Sequence, residues 1–377
     1  MEVIKIIYNS NRLDSMPNIL LLGPGPSGVA PTTYYALSRP TIGHMDPSFI
    51  KLMDEIKLGL QTLMNTKNEL TVPLSGTGSS GMETAFVNML EKGDKVLVLQ
   101  NGAFGKRMVD VASRLGAQVD ELSYEWGTPV KVEEVKAHLE KNDYKIVAVV
   151  YAETSTGVRN PVEEIGRLVK ESGSLFLVDA VTALGGIPLE IDKWSIDICY
   201  SGTQKCLSCP PGLAPITFSE RAADIIRNRK TKVPNWYLDM TMLMKYWGGE
   251  SRVYHHTPPV NMLYGIYQAI YNILEEGQEA VFARHNDVHK SLVTELGKIG
   301  WDMLVDEPYR LPQLNTVLVP AGIDEVLFRK RLLNEYNIEV GNGLGDLAGK
   351  IIRIGLMGYN AKAYNVERLI NAMKEII

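Results

Sequence analysis

The sequence predicts an α/β protein, with a large domain built on a mainly parallel sheet and a smaller α+β domain after it. Three observations carry this. Between residues 95 and 218, short apolar runs alternate with segments of helical period, the pattern of strand–helix–strand units whose strands are buried. Beyond residue 310 the pattern becomes a mixture of short strands and helices. At 377 residues, the chain is too long for one minimal core, so a large and a small domain are expected. The divisions read from the pattern are an N-terminal arm over 1–22, a large domain over 23–260 and a small domain over 261–377.

Taken in order, the elements are justified as follows. Gly23-Pro24-Gly25-Pro26 suits neither regular helix nor a central strand. Asp46-Pro47 reads as an N-cap followed by proline in the first turn. After it Ile50, Met53, Ile56, Leu60, Leu63 and Met64 recur at helical spacing. The apolar run 70–74 leads into Ser75-Gly76-Thr77-Gly78-Ser79, and a second helix follows with Met82, Ala85, Phe86, Met89 and Leu90 on one face. The runs 95–100, 118–123, 145–150, 175–178, 198–200 and 214–218 read as mostly buried strands, with helices over 105–115, 132–141 and 162–172. Long helices are expected over 261–276 and on to 298, then strands at 314–319, 338–340 and 351–355 with helices at 325–335 and 364–377.

Composition narrows the function classes. Apolar residues make up 45%, charged residues 22%, and the net charge is −5. No basic excess points to nucleic acid or to an anionic membrane surface. No run reaches the roughly 18 apolar residues of a spanning helix, and the apolar start of the chain is broken by Asn9, Asn11, Arg12 and Asp14, so no leader is expected. Cys199, Cys206 and Cys209 are clustered and odd in number. That is no disulfide framework, and it fits a reduced, cytoplasmic chain. Cys206 and Cys209 form a C-x-x-C without a second pair of ligands, so no metal site is expected.

In a parallel sheet, ligands bind at the carboxyl ends of the strands, and several polar residues fall there. The turn 75–79 precedes a helix. It could hold a phosphate on its backbone N–H groups or be a plain glycine-rich turn, and it carries neither a Walker loop nor a G-x-G-x-x-G fingerprint. Asp179 ends the apolar run Leu175-Phe176-Leu177-Val178. It could cap the next helix or face a cation, because a buried carboxylate needs a partner. Lys205 lies beyond the apolar strand at 198–200, in the turn Ser201-Gly202-Thr203-Gln204-Lys205. A phosphate anchor, a strand-end carboxylate and a strand-end amine together are what pyridoxal phosphate chemistry requires. Arg353, inside the apolar run 351–356, needs an anionic partner if buried. The adjacent His255 and His256, if extended, would point to opposite faces and could not share an ion.

Eight ordered segments carry a resemblance. They are Leu21-Leu22-Gly23-Pro24-Gly25-Pro26, Ser75-Gly76-Thr77-Gly78, Asn101-Gly102-Ala103-Phe104-Gly105 and Glu153-Thr154-Ser155-Thr156-Gly157, then Leu177-Val178-Asp179-Ala180-Val181, Tyr200-Ser201-Gly202-Thr203-Gln204-Lys205, Tyr254-His255-His256-Thr257 and Arg353-Ile354-Gly355-Leu356-Met357-Gly358. In these the chain resembles the class V aminotransferases of pyridoxal phosphate fold type I, and more narrowly the alanine–glyoxylate/serine–pyruvate aminotransferases. The resemblance implies a large domain with a mainly parallel, mixed seven-stranded sheet flanked by helices, plus a smaller C-terminal α+β domain.

It also implies residue roles. Lys205 would hold pyridoxal 5'-phosphate as a Schiff base and, once freed, shuttle the proton between Cα and C4′. Asp179 would keep the pyridine nitrogen protonated. Phe104 would stack on the ring, where the family often has tryptophan. Ser155 would hydrogen-bond near the ring's phenolic oxygen. Thr77, Gly78, Ser79 and Gln204 would hold the phosphate, with histidine standing at position 79 in mammalian relatives. Tyr254 and Thr257 would reach the phosphate of the other subunit of a homodimer. Arg353 would grip the substrate α-carboxylate as a fork, with Gly25 and Ser155 also bordering substrate.

The expected reaction is a ping-pong transamination between a small amino acid, alanine or serine, and glyoxylate or pyruvate. A ureidoglycine–glyoxylate aminotransferase shares the frame and is the main alternative, with Asn261 as a residue that could serve a polar donor or cap its helix. A desulfurase needs a late nucleophilic cysteine, and none follows Cys209. A non-catalytic relative of the fold conflicts with the retention of Lys205, Asp179 and Arg353.

Overall fold

The computed structural model describes residues 13–248 and 252–377; the first twelve residues of the expected arm lie outside the described residues. The large domain is a seven-stranded sheet running, edge to edge, Leu70–Ser75, Leu213–Phe218, Ile198–Tyr200, Leu175–Asp179, Ile146–Val150, Lys95–Gln100 and Gln118–Ser123. The last five are mutually parallel, and Leu213–Phe218 is antiparallel to both of its neighbours. This is the mixed, mainly parallel sheet expected.

The central strands are apolar throughout because helices cover both faces. Leu175–Asp179 and Ile146–Val150 are buried at every position. Gln118–Ser123 differs from the expectation, being largely exposed. It is one of the two edge strands and pairs on one side only, and unlike the other edge, Leu70–Ser75, it is left uncovered.

Helix boundaries follow local chemistry. Helix Pro47–Leu63 starts where Asp46 accepts a hydrogen bond from the Ser48 N–H at 2.8 Å, with proline at the first turn. Its buried face is Phe49, Met53, Ile56, Leu60 and Leu63, each worth about 1.5–3 kcal/mol of burial. Helix Val162–Ser172 stops at Gly173, which takes φ 79°, a left-handed cap glycine adopts freely.

Two cores form. The larger one surrounds the seven-stranded sheet and includes Val260, Leu263, Ile266 and Ile273 of helix Val260–Glu276. The smaller one draws on Val288, Leu292, Trp301, Phe328, Ile352 and Leu369, around the three-stranded sheet Leu314–Leu318, Ile351–Gly355, Gly341–Asn342. The sequence division before residue 261 therefore lies ahead of a helix that packs in the larger core. The arm also departs from an irregular reading at its end. Leu20–Leu21 pairs in parallel with Ile338–Glu339, and Leu22 is fully buried in the smaller core. A run of three leucines is better placed against that core than in solvent.

Three helices stand outside the sequence expectations: Pro31–Leu37, Glu220–Arg227 and Met240–Trp247. Each is seven or eight residues long, too short for a clear period. Among the described residues, no helix is long and apolar enough to cross a membrane.

Candidate active site

Asp179 is the last residue of the central strand Leu175–Asp179, and its carboxylate is buried. One oxygen accepts the Val181 N–H at 2.8 Å and the other accepts the Tyr200 hydroxyl at 2.8 Å. Strand register explains the second contact, since Asp179 and Tyr200 are partners on adjacent strands. Burial pushes the carboxyl up to about 6, while these two hydrogen bonds pull it back down. A cation close to the Asp179 carboxylate would restore its charged form.

Lys205 sits in the turn that leaves strand Ile198–Tyr200. The Ser27 hydroxyl donates to the Lys205 carbonyl at 2.6 Å, and the Ser27 N–H donates to the Gln204 carbonyl at 2.9 Å. These bonds clamp the Gly23–Ser27 segment over the lysine turn, and Nζ donates to the Pro24 carbonyl. Gly25 has φ 109°, and a Cβ there would collide with the Lys205 side chain, so both backbone and space require glycine. Burial, and then the charge of Arg353, bring the Lys205 ammonium down to about 8. Its free amine is therefore far more available near neutrality than that of an ordinary lysine.

The turn Ser75–Ser79 opens helix Gly78–Met89. Thr77 is its N-cap, extended at φ −80° and ψ 173°, and its side chain caps nothing. The Ser80 N–H donates to the Thr77 carbonyl at 2.8 Å, which leaves the N–H groups of Gly78 and Ser79 for a ligand. Gly78 lies close against Val181 and Gly202, which sets the helix start beside the Asp179 and Lys205 turns. Thr77 and Ser79 are exposed, while the buried Oε1 of Gln204 has no hydrogen-bond partner among the described residues.

Gly78, Ser79, Phe104, Asp179, Gln204 and Lys205 line one cleft, with Thr154, Tyr200 and Arg107. Its cavity volume is about 110 Å³, and it opens to solvent. Phe104 stands in the first turn of helix Ala103–Arg114, on the cleft wall.

Arg353 lies on the middle strand of the small sheet and is buried. Its Nε donates to the Asn342 carbonyl at 2.8 Å, and one terminal nitrogen donates to the Thr154 carbonyl of the large domain at 3.1 Å. Its partners are backbone carbonyls; among the described residues no carboxylate pairs with it. Burial lowers it to about 10, against the charge of Glu153, which raises it.

Two sequence expectations, for Ser155 and for the histidine pair, meet a different geometry. Ser155 donates its hydroxyl proton to Glu153 at 2.6 Å and accepts the Ala103 N–H at 2.9 Å, so its donor is already committed inside the protein rather than held free for a ring oxygen. Tyr254 and Thr257 are exposed and stand apart from the Lys205 cleft of their own chain. His255 and His256 do not point to opposite faces. Their Nδ1 atoms are 2.8 Å apart, and His256 continues to the Ser75 hydroxyl at 2.7 Å. The segment there is irregular rather than a strand, so the two-residue alternation does not apply.

Glu153 received no role from the sequence. It is fully buried and accepts from the Ser155 N–H at 3.0 Å and the Gly105 N–H at 3.3 Å as well as from the Ser155 hydroxyl. Burial raises its pKa against those hydrogen bonds. The available signal was a carboxylate directly after the apolar run Val147-Ala148-Val149-Val150-Tyr151-Ala152, the same pattern that marked Asp179.

The family model described as "Aminotransferase class-V" matches residues 31–369. The chain belongs to the class V aminotransferases. The family consists of transaminases that depend on pyridoxal phosphate. Alanine–glyoxylate aminotransferase of Mus musculus is 40% identical over 366 residues, covering 96% of this chain and 88% of that protein. The crystal structure of an alanine–glyoxylate aminotransferase from Nostoc sp. superposes with a TM-score of 0.94 at 46% identity, covering 98% of this chain and 99% of that one. The ureidoglycine–glyoxylate aminotransferase of Bacillus subtilis gives the same TM-score at 37% identity, with 96% and 93% covered.

Proposed function

We propose that this class V aminotransferase moves the amino group of a small amino acid, alanine or serine, to glyoxylate or pyruvate in two half-reactions at the Lys205 cleft. The observation that carries the reading is Arg353. A buried guanidinium whose hydrogen-bond partners are carbonyls has no paired carboxylate among the described residues, and an α-carboxylate supplies one in bidentate geometry. The alanine–glyoxylate relatives, similar over nearly the whole chain, support the choice of substrates.

The residues fit pyridoxal phosphate. Asp179 is a buried carboxylate short of a cation, Lys205 presents a low-pKa amine in the same cleft, and the first turn of helix Gly78–Met89 borders it. When bound, the cofactor supplies an aldehyde that takes up and releases the amino group and a ring that draws electrons from the substrate Cα. Lys205 Nζ would anchor it and, once displaced by substrate, take the proton from Cα. Asp179 would hold the proton on the pyridine nitrogen. Phe104 would cover one face of the ring, and Gly78, Ser79 and the helix N–H groups would meet the phosphate. Ser155 would act through Glu153 and the Ala103 N–H, fixing the wall that carries Phe104. The exposed Tyr254 and Thr257 would complete the phosphate site of a second copy, so the working unit is a homodimer.

The alternative donor is ureidoglycine, favoured by the Bacillus subtilis relative. Asn261 gives it no help. Its amide donates to the Leu37 and Arg39 carbonyls and accepts from Thr41. A desulfurase role would need a reactive thiol, whereas burial pushes both Cys206 and Cys209 up to about 12. The deciding experiment is a panel of amino donors, ureidoglycine included, against glyoxylate and pyruvate, followed by the visible absorbance of the cofactor. Turnover with alanine or serine supports the proposal; turnover with ureidoglycine alone replaces it with the alternative.

A further inference from the structure

Arg107 stands one turn beyond Phe104 on helix Ala103–Arg114. Its guanidinium carbon lies 4.9 Å from the centroid of the Phe104 ring, and one terminal nitrogen is 3.5 Å from the Ser79 hydroxyl. It lines the same cleft as Lys205. On the same helix, Arg114 is paired with Asp110 at 2.9 Å, but among the described residues no carboxylate pairs with Arg107. An unpaired guanidinium is thus directed into a ligand cleft, beside the first turn of a helix whose Gly78 and Ser79 N–H groups are uncapped.

The cations of the cleft are divided between its ends. The charge of Arg353 adds to burial in lowering Lys205, so these two cations lie near one another. At the other end Thr77, Ser79 and Gln204 are neutral, and the helix N-terminus contributes only about half a charge. A phosphate monoester near neutral pH carries between one and two negative charges. Neutral donors and a partial dipole leave most of that charge uncompensated, and Arg107 is the side chain placed to compensate it.

We infer that Arg107 is the cationic contact for the cofactor's phosphate. The inference rests on the pyridoxal phosphate reading above and adds a residue to it. Arg107 is exposed, so solvent screens it and its contribution is modest for a charge-assisted contact. Its place over the Phe104 ring adds a cation–π contact, and that contact alone would serve ring stacking rather than the phosphate.

The test separates these roles by binding alone. Full-length apoenzyme, wild type and Arg107→Gln, is titrated with pyridoxal phosphate and with pyridoxal, which lacks the phosphate, using equilibrium dialysis and absorbance. Arg107→Gln is expected to weaken pyridoxal phosphate by about tenfold and to leave pyridoxal unchanged, with Arg107→Lys recovering part of the loss. Added salt should narrow the gap between wild type and variant. An equal loss for both compounds, or a loss for neither, would overturn the inference. Retained pyridoxal binding also shows that the variant is folded. A wild-type chain that takes up neither compound would sink the cofactor reading itself, and with it the role given to Arg107.

Discussion

Asp179 and Tyr254 mark two extremes of one expected site. Asp179 is 3% exposed, with both carboxylate oxygens hydrogen-bonded inside its own chain. Tyr254 is 59% exposed, and its ring rests on His44 at 5.4 Å. The floor, meaning the buried group Asp179, Glu153, Lys205 and Arg353, is assembled by sheet register and by packing between the domains. The other end, lined by Ser79 and Arg107 with Thr77 beside it, is open, and Tyr254 and Thr257 are exposed outside it. A single chain can preorganise charges where the core excludes water. Where water enters, the site needs its ligand or a neighbour to be completed. Chemistry should therefore depend on the floor and cofactor affinity on the rim.

Substitutions can break or sharpen that contrast. Lys205→Ala should have the largest effect, lowering transamination by more than about a thousandfold. Mass spectrometry after hydride reduction should then find no added cofactor mass, and a retained adduct would move the attachment elsewhere. Asp179→Asn should reduce kcat by about a hundredfold or more while the cofactor still binds; a near-normal kcat would make Asp179 a structural cap. Arg353→Ala should raise KM for α-amino acids by roughly tenfold to a hundredfold with little change in cofactor affinity, and Arg353→Lys should not rescue it. Equal losses in both quantities would assign Arg353 to holding the domains together.

A pH measurement probes the floor from another side. The Lys205 ammonium is lowered to about 8, and only the free amine can capture the cofactor. Apoenzyme reloading should therefore speed up as pH rises through about 8 rather than through the usual lysine range, falling about tenfold per unit below that. The smallest effect is expected at the rim, where Tyr254→Phe should weaken cofactor binding only several-fold and leave kcat nearly intact. A collapse of kcat in that variant would erase the distinction between floor and rim.

Much of the floor was legible in the sequence because a buried strand writes itself as an apolar run and a polar residue at its end stands out. Asp179 after Leu175–Val178 and Lys205 after the strand at 198–200 were visible for that reason. Glu153 follows the same rule but carried no role, because its partners, Ser155 and the Gly105 N–H, belong to a hydrogen-bond set that only the folded wall creates. Arg107 was invisible for the opposite reason. It lies on an amphipathic helix where a charged residue is ordinary, and only the crossing of two helix starts brings it to Ser79.

By itself, the sequence determined the alternation of strands and helices, the strand ends at which chemistry gathers, and the glycines at the lysine turn, because burial and backbone freedom act locally. The tertiary structure alone decided which strand became an exposed edge, that helix Val260–Glu276 packs with the larger core, and that Ser155 spends its hydroxyl proton on Glu153. Those outcomes depend on neighbours distant in the chain, and hydrogen-bond capacity and burial are shared among them only once the chain has closed on itself.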